Sequence, residues 1–167
     1  MKRGLLIEYW NRRLNQAAMA LAGVALLLLM TVGVLDILLI AFFHTALPGA
    51  LEFSESLLVA CVFLPLAWTQ RQGRHIAMGF LRRRLPSAAR WALDLGLSLC
   101  SLGFFSLLAW QAWRLAWKSW VSGEYAAGLI AFPLYPAKLA LAVGLSLMVL
   151  QLLHDMAGFL ATRAAKD

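Results

Sequence analysis

Residues 17–43 read AAMALAGVALLLLMTVGVLDILLIAFF, and the only ionisable group among them is Asp36. A helix crosses a hydrocarbon core of about 30 Å with about 20 apolar residues, so this stretch is long enough to span a bilayer. Its backbone N–H and C=O groups would find no water there and must pair within the segment, which makes it a helix. It is also too long for the apolar core of a secretory signal, and Pro48-Gly49 follow it in place of a small-residue cleavage site. The expectation is a retained first transmembrane helix.

Three further blocks resemble the first in composition, and together they predict spans over 17–43, 51–70, 91–113 and 133–160 in a single membrane domain, 1–167. Of the 167 residues, 62% are hydrophobic and 14% charged. A soluble domain has about 45–50% apolar and about 25% charged residues, and here the apolar excess lies in blocks, not in a dispersed core. Period-two alternation, the mark of a barrel strand, is absent. The fold class is therefore an all-α integral membrane protein with four transmembrane helices. No internal repeat or low-complexity segment interrupts them, and Pro65 is the only mid-span proline. No span is expected to be broken in the manner of a transporter site.

The formal charge of +7 is a topology signal and not a nucleic-acid footprint. Twelve of the fifteen Lys and Arg residues lie before span one, between spans two and three, or after span four. The other three are Arg114, Lys118 and Lys138. Lys/Arg-rich segments stay cytoplasmic, which predicts that both ends are inside. Interfacial segments are expected around the spans, short amphipathic helices over 3–15 and 76–85 and, over 114–122, a continuation of helix three beyond the bilayer core. In the second of these, Arg82, Arg83 and Arg84 are candidates to meet lipid phosphates.

Catalysis, metal binding and cofactor binding have no residues to carry them. His44, His75 and His154 are scattered near predicted helix ends, no paired histidines or Gly-rich phosphate loop occurs, and Cys61 and Cys100 sit inside apolar helices. The expectation is no catalytic, cofactor-binding or metal site. More telling are the polar and aromatic residues at the membrane's edge. Asp36, inside span one, is either a relay or ion site or a hydrogen-bonded structural group. Glu52 and Glu55 open span two, where they complement the helix dipole or meet a partner. Trp110, Trp113, Trp117 and Trp120 recur at steps of three, four and three, one helix face. That face is an aromatic belt, a docking surface, or both. Ala18/Ala22 and Ala140/Gly144 permit close helix approach. Read from residues alone, this is an accessory subunit of a larger membrane complex, with Asp36, Glu52, Glu55 and the four tryptophans as candidate partner-facing groups.

Several short runs narrow that reading: Asp36-Ile37-Leu38-Leu39, Leu47-Pro48-Gly49-Ala50-Leu51-Glu52 with Ser54-Glu55, Val62-Phe63-Leu64, Gln70-Arg71-Gln72-Gly73-Arg74-His75-Ile76, and Leu85-Pro86. Phe132-Pro133-Leu134-Tyr135-Pro136 follows later, with Lys138 and Gly144. In order and spacing these resemble the small membrane subunit of tripartite ATP-independent periplasmic (TRAP) transporters, the DctQ-like family. The chain departs from the family's pattern at Ile40, where an arginine is frequent, and at Gly79, where an acidic residue is frequent. The resemblance implies a small permease subunit of a sodium-coupled transporter of an organic acid, in the bacterial inner membrane. Its implied partners are a large TRAP permease subunit, a periplasmic substrate-binding protein and membrane lipids. It would brace the large subunit and help dock the binding protein. The competing class is a small stand-alone homo-oligomeric transporter using Asp36.

Overall fold

The computed structural model describes residues 2–72, 87–126 and 131–164. The expected interfacial segment 76–85, with Arg82, Arg83, Arg84 and Gly79, lies outside the described residues, as does His75. Five helices are described: α1 (Lys2–Phe43), α2 (Ala50–Phe63), α3 (Leu66–Arg71), α4 (Ser87–Ser122) and α5 (Tyr135–Ala164). They make four spans long and apolar enough to cross a membrane, Tyr9–Phe43, Ala50–Arg71, Leu93–Ser122 and Tyr135–Phe159. The fold is all-α and multi-pass.

Two expected boundaries differ. The segment 3–15 is not a separate helix but the first turns of α1, whereas 114–122 continues α4 as expected. No proline or glycine lies between Leu14 and Ala17 to stop the hydrogen-bond ladder. Span two, expected to be unbroken, is interrupted at Leu64-Pro65, so α2 and α3 are distinct helices. Pro65 has no N–H to donate to the preceding turn, and its ring crowds the carbonyl four residues back.

The spans meet in a chain of neighbours. α1 packs mainly on α2, α2 and α3 pack on α5, and α4 packs on α5. The α4–α5 contact is the most extensive and is made of small residues. Ala109, Ala112, Ala116 and Ser119 form a buried stripe on α4, with Ala142 and Leu145 of α5 in the same core. The α1–α2 contact uses Ala18, Ala22 and Leu64, with Ala60 and Leu147 against them. Lipid tails are as apolar as leucine, so close van der Waals approach of small side chains, rather than water exclusion, holds such helices together. The apolar surface left over is large. None of the most apolar stretch of the α4 span is buried, against 33% for that of α5. The central position of α5 accounts for the difference.

The start of α1 and the end of α5 lie at one end of this bundle, called here the terminal end. Asn11 and Asn15 of α1 each donate from Nδ2 to Gln151 Oε1 of α5, both at 2.9 Å, and Gln151 Nε2 donates to Asp155 Oδ1 at 2.7 Å. Gln70 of α3 donates to Asp155 Oδ2 at 3.2 Å. Three helices are thus tied by one polar network, in which Asn15 and Gln151 are buried. At the opposite end, the loop end, lie residues 44–49, 123–126 and 131–134.

Candidate functional site

The candidate residues collect at the loop end. Asp36 lies two turns below the end of α1, and its Oδ1 accepts the backbone N–H of Leu47 at 2.7 Å. The 44–49 loop therefore folds back onto α1, and the carboxylate is half-buried as a latch for it. Glu52 is half-buried in the first turn of α2 and Glu55 is exposed. Phe53, between them, meets Phe132 edge-to-face with centroids 6.0 Å apart, which ties the start of α2 to the segment before α5.

The four tryptophans are all exposed, from 47% at Trp113 to 70% at Trp117. They stand one position away from the buried stripe Ala109, Ala112, Ala116 and Ser119, so the same helical spacing serves two faces. The small residues pack on α5, and the indoles flank that contact and face outward. Trp113 Nε1 donates to Ser146 Oγ at 2.9 Å, and Trp120 stands edge-to-face on Tyr135 at 5.0 Å. These two indoles hold α4 and α5 in register near the loop end.

The α4–α5 connection is built tightly. Gly123 adopts φ 56, a left-handed conformation that only glycine takes without strain, and Glu124 N–H reaches back to the Ser119 carbonyl at 3.2 Å. Ala126 N–H donates to Phe132 O at 2.8 Å and Leu134 N–H to Glu124 O at 3.1 Å, forming a short bridge between Tyr125 and Pro133. Lys138 Nζ, one turn into α5, donates to Glu124 Oε2 across the turn. That hydrogen bond, with the charges of Lys138 and Lys118, holds the exposed Glu124 carboxyl below its ordinary value of 4.5.

No three His, Cys, Asp or Glu side chains come together as a metal site among the described residues. Their buried polar side chains are Asn15, Gln151 and Ser119. The first two belong to the terminal end and Ser119 lies near the loop end, so they do not line up as a path across the bundle. What this geometry offers is surface, apolar around the spans and aromatic and charged at the loop end. A family model for the DctQ component of the tripartite ATP-independent periplasmic transporters matches residues 29–162. The chain belongs to the DctQ family. No curated protein matches it.

DctQ-family membership makes the chain a transporter component and not an enzyme. The family works with a large permease and a binding protein in TRAP systems. Sequence reasoning picked out the tryptophan stripe of this DctQ protein but passed over the alanine stripe beside it. It also missed Asn11, Asn15 and Gln151, whose signal was present: two amides near the start of one span and one near the end of another. The sequence alone does not pair Glu124 with Lys138, since thirteen residues, Gly128, Pro133 and Pro136 among them, lie between the two.

Proposed function

We propose that this small permease subunit is a fixed scaffold in a sodium-coupled TRAP transporter for an organic acid, in the bacterial inner membrane with both termini cytoplasmic. The large permease subunit covers part of the apolar span surface. The periplasmic binding protein docks near Glu52, Glu55 and the Trp110–Trp113–Trp117–Trp120 stripe, and Asp36 supports that surface by holding the 44–49 loop down. Arg82, Arg83 and Arg84 anchor the segment between spans two and three at the lipid surface. Substrate and sodium ligands lie on the other chains.

The observation that carries this reading is the contrast, among the described residues, between much uncovered apolar span surface and buried polar side chains that form no path. A solute path needs groups that replace the solute's water, and a scaffold needs surface. Asp36 has a structural partner in the Leu47 amide, which also favours the scaffold over a lone pump built on that carboxylate.

Reconstitution tests the proposal. Liposomes holding the purified chain alone should show no solute flux. Liposomes holding it with the large permease, supplied with binding protein, should take up substrate when a sodium gradient is applied. Substrate-specific uptake by the chain alone would overturn the scaffold reading.

A further inference from the structure

Two hollows on the α4–α5 pair share Trp120. The one farther from the loop end, about 220 Å³, is lined by Trp113, Ala116, Trp117, Trp120 and Leu139, with no charged side chain among them. The other, about 200 Å³, is lined by Trp120, Gly123, Glu124, Tyr125, Pro133 and Tyr135. Three aromatic rings and one carboxylate around a single space form the chemistry that receives an ammonium group. Ring faces are electron-rich and attract a cation, and such aromatic cages recognise substituted ammonium ligands. Trp120 and Tyr135 already stand at 82° to one another, two walls of a corner. Glu124 is held as a carboxylate by its lysine neighbours.

The charges are ordered along the bundle. Moving towards the loop end, the apolar groove comes first, then Lys138 beside Leu139, then Glu124 and Tyr125 in the turn. A phospholipid with an ammonium head presents its parts in the matching order: acyl chain, phosphate, ammonium. Inside a bilayer an acyl chain fills the apolar groove whatever its headgroup, so the chemistry at the mouth does the selecting. An anionic head without an ammonium would satisfy Lys138 but bring nothing to Glu124 and the rings.

We propose that this face binds one ammonium-headed phospholipid, such as phosphatidylethanolamine, from the leaflet at the loop end. Its chain lies along Trp113 and Trp117, its phosphate faces Lys138 and Lys118, and its ammonium enters the Trp120–Tyr125–Tyr135 cage against Glu124. The site goes beyond the scaffold reading and does not rest on it, because every lining group is on this chain.

Native mass spectrometry of the full-length chain in detergent tests it, with equimolar phosphatidylethanolamine and phosphatidylglycerol of identical acyl chains. The first lipid should be retained as a single adduct about fivefold over the second, the scale of a partly exposed cation–π contact. Glu124→Gln and Tyr125→Leu should each bring the two lipids close to parity. Tyr125 is exposed and joins the loop through its backbone neighbours, so its replacement keeps the fold even if Glu124→Gln, which loses the Lys138 ion pair, does not. Equal retention by the wild-type chain, preference for phosphatidylglycerol, or unchanged selectivity in Tyr125→Leu would each overturn the proposal. So would displacement of the lipid by free ethanolamine, which would assign the cage to a soluble ammonium compound.

Discussion

Gly144 is the residue on which the α2–α5 crossing depends. A Cβ there would lie 2.4 Å from the carbonyl oxygen of Phe63 and 2.6 Å from its carbon, and backbone cannot swing aside as a side-chain tip can. Phe63 is also the last residue of α2 before the Leu64-Pro65 break, so the strain would fall where the span is already interrupted. Gly144→Ala is expected to lower the thermal stability of the detergent-purified chain by about 1–3 kcal/mol, the usual cost of overpacking. Gly23→Ala, where a Cβ meets nothing within 4 Å, is the control and should melt like wild type. Asp36 makes a second prediction at this scale. Asp36→Asn keeps an oxygen for the Leu47 amide and should preserve most transport in the assembled complex. Asp36→Ala leaves that N–H without its acceptor, at about 1–3 kcal/mol, and should make the 44–49 loop more sensitive to limited proteolysis. Abolished uptake by an intact, normally expressed Asp36→Asn complex would favour an ion site instead.

Helix pairs are joined differently at the two ends of the bundle. At the terminal end, Asn15 is fully buried and bonded to both Asn11 and Gln151, which fixes α1 against α5 where the two otherwise touch little. An interhelical hydrogen bond in a membrane protein contributes about 1 kcal/mol, so Asn15→Ala should loosen this pairing by that order. A double-mutant cycle combining Asn15→Ala with Gln151→Ala, read by thermal unfolding in detergent, should return a coupling of that order. At the loop end, the Glu124–Lys138 pair closes the α4–α5 turn. The folded Glu124 carboxyl titrates below its ordinary 4.5, so the pair's contribution is complete above that value and is lost as pH falls through the lower folded value. Hydrogen exchange at Ala126 and Leu134, corrected for intrinsic rates, should be steady from neutral pH down to about 4.5 and rise below it. Glu124→Gln should abolish that acid dependence.

For the whole molecule, the start of α1 and the end of α5 lie on one side, and the topology proposed from the Lys/Arg distribution puts that side in the cytoplasm. Ser122→Cys, exposed at the loop end in a background lacking Cys61 and Cys100, should react with a membrane-impermeant thiol reagent in cells with a permeable outer membrane. Labelling only after the inner membrane is broken would invert the topology. An inverted chain would carry Glu52, Glu55 and the tryptophan stripe on the side away from any periplasmic protein. Replacing Trp117 and Trp120 together with Ala should lower uptake by the assembled complex while leaving the four spans in place, since the buried Ala109–Ala112–Ala116–Ser119 stripe still packs on α5 when the Trp120–Tyr135 contact is lost.

The number of spans and the family were legible in the residues. Spanning is a local property: a run such as 17–43 either is or is not apolar enough to leave water, and its backbone then has only the helix available. The small residues Ala18, Ala22 and Gly144 could be marked as points of close approach for the same reason. What only the tertiary structure decided is which face of each helix meets another helix. In a soluble protein hydropathy answers that question, because one face prefers water. In α4 both the alanine stripe and the tryptophan stripe are at home in lipid, so hydropathy cannot separate the packed face from the open one. The remaining decisions joined residues far apart in the chain: Asn15 with Gln151, Gly144 with Phe63, Asp36 with the Leu47 amide. Each depends on where two backbones come to lie in space, and one-dimensional periodicity carries no information about that.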